Sequence, residues 1–157
     1  MSGLTRTSAE ASRAGPVVFS KWIPAVKSIL IVDDDPMFRD VVRMRLSAAG
    51  YQTFAAAGAD AGWEMAKIHR PDVILLDLVM PEVDGVSFLR RLRSDPALAA
   101  TPVIVVSGLS YMALTKAAEQ LGIQSQLIKS RFTLGELVQR VTSLLPDRAP
   151  AAVPVAS

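Results

Sequence analysis

The run Val73-Ile74-Leu75-Leu76 stops on a carboxylate, Asp77, and is followed by Pro81 and the pair Asp84-Gly85. A short apolar run of this kind reads as a strand buried on both faces, as parallel sheets require. Pro81 and Asp84-Gly85 mark a turn. The chain must therefore hold an acid at the carboxyl end of a buried strand, facing a loop. In open parallel α/β sheets that edge is where ligands bind. By itself Asp77 reads equally well as the cap of the next turn, so the rest of the chain has to decide.

The same arrangement recurs along the chain. Ser28 to Val32 is an apolar strand followed by Asp33, Asp34 and Asp35. Pro36 suits the first position of a helix with Asp35 as its N-cap. Phe38, Val41, Val42 and Leu46 recur at helical spacing and are expected to face the sheet, with Gly50 closing the helix. Met37, Met44 and Ala48 extend a second apolar stripe, read first as core and second as an adaptable docking surface. Tyr51 to Ala55 suits a strand and Ala59 to His69 a helix around Trp63 and Ala66, stopped by Pro71. His69 suits a helix C-terminus as a cation, and no second ligand accompanies it.

After the Asp77 strand, Val86 to Arg93 reads as a short helix with Phe88, Leu89 and Leu92 inward, broken by Asp95-Pro96. Val103 to Val106 is a strand ended by Ser107-Gly108, and a helix is expected from about Tyr111 to Gln120. Gln126 to Ile128 is a short strand ending on Lys129. Thr133 and Glu136 form a capping box for a helix carrying Leu134, Leu137, Val138, Val141, Leu144 and Leu145. A strand–helix unit repeated five times implies a doubly wound parallel sheet with helices on both faces. Residues 28–146 are the domain. Residues 1–27 and 147–157 read as mostly disordered tails. In the first tail Phe19, Trp22 and Ile23 are apolar enough to dock on the domain or a partner.

Charge excludes one class of partner. The chain carries a net +2, but residues 1–27 hold four basic side chains against one acidic. Residues 28–145 hold 12 basic against 13 acidic. The basic excess belongs to the leading segment, so no nucleic-acid surface is expected. Arg90, Arg91 and Arg93 read as a solvated helix face. The absence of cysteine excludes disulfides and thiolate metal sites and suits a reducing, cytoplasmic setting. No apolar run reaches the length of about 18 residues that a membrane span needs.

Several strands end in a polar residue: Asp33 and Asp34 after the first, Asp77 after the third, Ser107 on the fourth and Lys129 after the fifth. In a sheet ordered 2-1-3-4-5 these residues converge on one pocket. Three carboxylates in one pocket repel and raise one another's pKa. A hard divalent cation relieves this, and oxygen ligands with some waters suit Mg²⁺. The metal would neutralise phosphoryl oxygens, Lys129 would add positive charge and Ser107 a donor. An ionised aspartate is itself a nucleophile able to carry a phosphoryl group as an acyl phosphate.

Taken in order, Val-Asp-Asp at 32–34, Leu-Leu-Asp-Leu-Val-Met-Pro-Glu-Val-Asp-Gly at 75–85, Pro-Val-Ile-Val-Val-Ser-Gly at 102–108 and Lys129 resemble the receiver domain of bacterial two-component response regulators. The flavodoxin-like (βα)5 fold and its strand order 2-1-3-4-5 come from this resemblance, not from the residues. The resemblance implies Asp77 as phosphoacceptor. It implies Asp34, Asp77 and the Val79 backbone carbonyl as Mg²⁺ ligands, with Asp33 acting through water. Ser107 and Lys129 would contact the phosphoryl group. A sensor histidine kinase or histidine phosphotransfer protein would be the donor, and a separate, unidentified protein the downstream target. Two positions depart from the family pattern: Ser130 stands where proline usually follows the lysine, and Gln126 stands at the aromatic switch position. Without proline, the Lys129–Ser130 bond is expected to be trans. Two rival readings are a degenerate receiver that binds partners without phosphorylation, and an aspartyl-phosphate phosphatase or mutase. The second would need an acid where Val79 stands.

Overall fold

The computed structural model describes residues 25–108 and 112–145. The expectations for residues 1–24 and 146–157, and for Tyr111 as a helix start, lie outside the described residues. Five strands alternate with five helices: β1 (Ser28–Val32), α1 (Pro36–Ala48), β2 (Gln52–Ala56), α2 (Ala59–His69), β3 (Val73–Leu76), α3 (Gly85–Ser94), β4 (Val103–Ser107), α4 (Met112–Gln120), β5 (Ser125–Ile128) and α5 (Leu134–Leu144). The strands are parallel in the order β2-β1-β3-β4-β5. The first and third strands are therefore neighbours, and the chain reverses its winding direction between them.

Side-chain alternation splits the core into two layers. Leu30, Val32, Ile74, Leu76, Val103 and Val105 face α2, α3 and α4 and meet Trp63, Phe88 and Leu92. Their neighbours Ile29, Ile31, Val73, Leu75, Ile104 and Val106 face the other way and meet Val42, Leu46, Leu137 and Val141 of α1 and α5. Because both faces are covered, β1, β3 and β4 are buried along their whole length. Gly62 lets α2 approach β1 closely, since a Cβ there would lie 2.9 Å from a Val32 methyl.

The helix ends follow their capping residues. Asp35 accepts hydrogen bonds from the backbone N–H groups of Met37 and Phe38, and Pro36 occupies the first turn. Thr133 accepts from the Glu136 N–H, and Asp84 from that of Ser87. Gly50 follows α1 with a φ of 99°. The α2 C-cap falls on Arg70, a non-glycine residue in the left-handed region.

Two expectations fail. Val41 does not face the sheet; it is 41% exposed, and Met37, Met44 and Ala48 are exposed beside it. The sheet covers only the narrow arc of α1 around Val42 and Leu46, and Val41 lies about 100° from Val42 on the helical wheel. Of the arginine triplet, Arg90 and Arg91 are exposed as expected, and Arg93 is not. Arg91 lies over the Trp63 ring at 4.4 Å. Arg93 is half-buried and donates to the carbonyls of Ala99, Thr101, Leu121 and Gly122. His69 stacks on Phe54 with ring centroids 3.9 Å apart, which gives it a packing role.

Candidate phosphoryl-acceptor site

At the carboxyl edge of the sheet, the hydrogen-bond ladder runs on past the strands and carries the polar residues into place. Asp33 N–H donates to the Ala56 carbonyl, Asp77 N–H to Val32 and Lys129 N–H to Ser107. The chain positions after β1 and β3 are thus locked side by side, with those after β4 and β5 beside them. Asp33, Asp34 and Asp77 each bring a carboxylate oxygen within 4.8 Å of the others. The Lys129 ammonium lies 2.7 Å from Asp33 Oδ2 and 3.3 Å from Asp77 Oδ2.

The loops hold these groups from behind. Asp33 Oδ1 accepts from the Asp35 N–H and Asp77 Oδ1 from the Val79 N–H. Arg39 donates to the Asp33 carbonyl at 2.7 Å. Gly85 N–H donates to the Leu78 carbonyl, and its missing side chain is what allows that approach. A Cβ on Gly85 would lie 2.3 Å from the Asp77 carbonyl oxygen. Glu82, in the same loop, has a φ of 71°.

The electrostatics follow from burial. Asp33 and Asp77 are 1% and 4% exposed, whereas Asp34 is exposed. Desolvation raises the pKa of both buried acids, and their bonds to Lys129 and to backbone N–H groups only partly offset it. Burial alone would lower Lys129; Asp33 and Asp77 outweigh that and hold it above its ordinary value, so it stays charged. Asp33 Oδ2 is buried and, among the described residues, lacks a directed hydrogen bond apart from its ion pair with Lys129. An under-satisfied oxygen on buried Asp33, grouped with buried Asp77 and an exposed third acid, fits an oxygen-seeking divalent cation such as Mg²⁺.

The structure thus brings together Asp33, Asp34, Asp77 and Lys129, and Ser107 is buried at the same edge. Gln126 is not part of the pocket. It is exposed, and its amide donates to Thr115 Oγ1 of α4 at 3.2 Å. The described residues contain no cis peptide bond, so Lys129–Ser130 is trans, and Lys129 still reaches the acids. Three contributors went unread in the sequence. Phe38, whose ring centroid is 4.5 Å from the Lys129 ammonium, carried a core-spacing signal. Arg39 carried none. Gly85 read only as turn chemistry.

The family model described as the response regulator receiver domain matches residues 29–142. The chain is 37% identical over 126 residues to the DNA-binding dual master transcriptional regulator RpaA of Synechocystis, covering 79% of this chain and 52% of that protein. It therefore spans about half of that relative. It is 29% identical to the polar-differentiation response regulator DivK of Brucella anthropi, covering 77% of this chain and 98% of that one. Among solved structures, the Vibrio cholerae chemotaxis protein CheY4 superposes with a TM-score of 0.72 at 26% identity, covering 77% of this chain and all of that one.

Proposed function

Because this chain belongs to the response regulator receiver domain family, we propose that Asp77 accepts a phosphoryl group and that the resulting change in surface is its signal. The observation that supports this most directly is the Lys129 ammonium 3.3 Å from Asp77 Oδ2, with Asp33 and Asp34 grouped beside it. The donor in this reading is a phosphohistidine on a sensor kinase or phosphotransfer protein. Its N–P bond breaks as a bond forms from an Asp77 carboxylate oxygen. With its second ring nitrogen protonated before transfer, the imidazole leaves as a neutral base that keeps that proton, and ionised Asp77 has no proton to lose. Lys129 supplies fixed positive charge to the transferred group, and the Ser107 hydroxyl a hydrogen bond.

Asp34, Asp77 and the Val79 carbonyl would hold Mg²⁺, with Asp33 engaging it through water. When bound, the metal neutralises charge that develops on the phosphoryl oxygens. Autophosphorylation and its reversal are the only chemistry assigned to the chain. Output passes to a separate docking protein.

Incubation with acetyl phosphate and Mg²⁺, followed by intact-mass measurement, should add a single phosphoryl group that is lost on alkaline hydrolysis. Asp77→Asn should take up none, and equal uptake by that variant would refute the assignment. The departures at Gln126 and Ser130 favour a second reading, a receiver that docks without phosphorylation. An unmodified wild-type chain in the same experiment would establish that reading instead.

A further inference from the structure

Among the described residues the Lys129 ammonium has three partners, and they differ in kind. Its ammonium is 2.7 Å from Asp33 Oδ2, 3.3 Å from Asp77 Oδ2 and 4.5 Å from the centroid of the Phe38 ring. Two of these partners belong to the carboxylate cluster that suits a divalent cation. Mg²⁺ takes oxygen ligands and keeps several of its waters, so the carboxylates and not the ring are its partners here. Metal binding therefore competes for both carboxylates and leaves the ring alone. A lysine carries a compact charge on a flexible four-carbon stem, so losing its shortest contact would release it to many rotamers.

We propose that Phe38 is a positioning residue whose ring face holds the Lys129 ammonium over Asp77 while cation and phosphoryl group engage the carboxylates. The proposal rests on the phosphoacceptor reading of Asp77. An ammonium over a ring face is attracted by the ring quadrupole, and more strongly when partly desolvated. Here the Lys129 side chain is 23% exposed. The ring is itself well held. Asp35 caps the first turn of α1 and accepts from the Phe38 N–H, and Phe38 packs against the core layer beneath α1 and α5. The cap, the aromatic residue and the lysine thus form one chain of support running from the β1–α1 loop to the end of β5.

Fluorinated phenylalanines test this, because each added fluorine weakens the quadrupole while nearly preserving shape. Phenylalanine at 38 would be replaced by its mono-, di- and trifluoro forms, and affinity for beryllofluoride, a phosphoryl analogue, measured by calorimetry with Mg²⁺. Affinity should fall stepwise, by about threefold to tenfold over the series. In a Lys129→Met background the series should be flat. Phe38→Trp should retain affinity, and Phe38→Leu should fall to about the level of the trifluoro form. In the metal-free protein, the Lys129 ε-methylene protons should show an upfield ring-current shift that Phe38→Leu removes. A flat series with Lys129 present, a slope that survives Lys129→Met, or an absent ring-current shift would each overturn the proposal. Failure of the wild type to bind beryllofluoride while the ring-current shift is present would instead strike at the phosphoacceptor reading.

Discussion

Asp33 and Asp77 hold their protons longer in the folded chain than in the unfolded one, because burial raises their pKa above the ordinary 3.8. Between 3.8 and the raised values the native state binds more protons, so metal-free stability should fall as pH rises through that window. Asp33→Asn should flatten part of this fall, as read by urea melts in chelator from below 3.8 up to neutrality. Mg²⁺ should oppose it, since a cation favours the ionised acids. Lys129, raised above 10.5, adds a second loss of stability only as pH climbs past that value. Gly85 sets the other residue-scale expectation. Its Cβ would strike backbone, which cannot rotate away, so Gly85→Ala should cost about 1–3 kcal/mol in a thermal melt and slow phosphoryl uptake. The acids were legible in the sequence as strand-end residues. The steric need for Gly85 was not, because it arises from the Asp77 carbonyl eight positions earlier.

Among the elements, α3 and the end of α4 are tied by one side chain as well as by the core they share. Arg93 of α3 reaches the carbonyls of Leu121 and Gly122 just after α4, and those of Ala99 and Thr101 before β4. A planar fork of five donors can serve carbonyls arranged this way, and a lysine ammonium cannot. Arg93→Lys should therefore cost about 2 kcal/mol. It should also raise hydrogen exchange in α4 more than in α1, which would separate a local pin from general loss of stability. Helix starts marked by Asp35-Pro36 and Thr133 could be read from the sequence, because a cap acts within one turn. The exposure of Val41 could not. Helical spacing shows that α1 has an apolar side, but the width of the arc that the sheet covers depends on β1, β3 and α5.

For the whole molecule, the sheet order is what brings the candidate metal and phosphoryl residues together. It sets β1 beside β3 and so places Asp33 and Asp34 next to Asp77. Mg²⁺ that binds only the native state should stabilise it by about 2.7 kcal/mol at a hundredfold excess over Kd. Differential scanning fluorimetry across a Mg²⁺ titration checks this. Asp34→Asn should shift the titration to higher Mg²⁺ while leaving the metal-free protein at least as stable. A melting temperature indifferent to Mg²⁺ would remove the case for the site.

The sequence by itself determined the five strand–helix units, the helix caps at Asp35 and Thr133, and the residue types standing at the strand ends. These depend on periodicity and on contacts within a few residues. Only the tertiary structure decided that Asp33 is buried while its neighbour Asp34 faces solvent, that Lys129 sits between two carboxylates, and that a Phe38 ring lies against it. Burial and electrostatic environment are sums over groups brought in from separate strands and helices. No local pattern contains those sums until the sheet has closed.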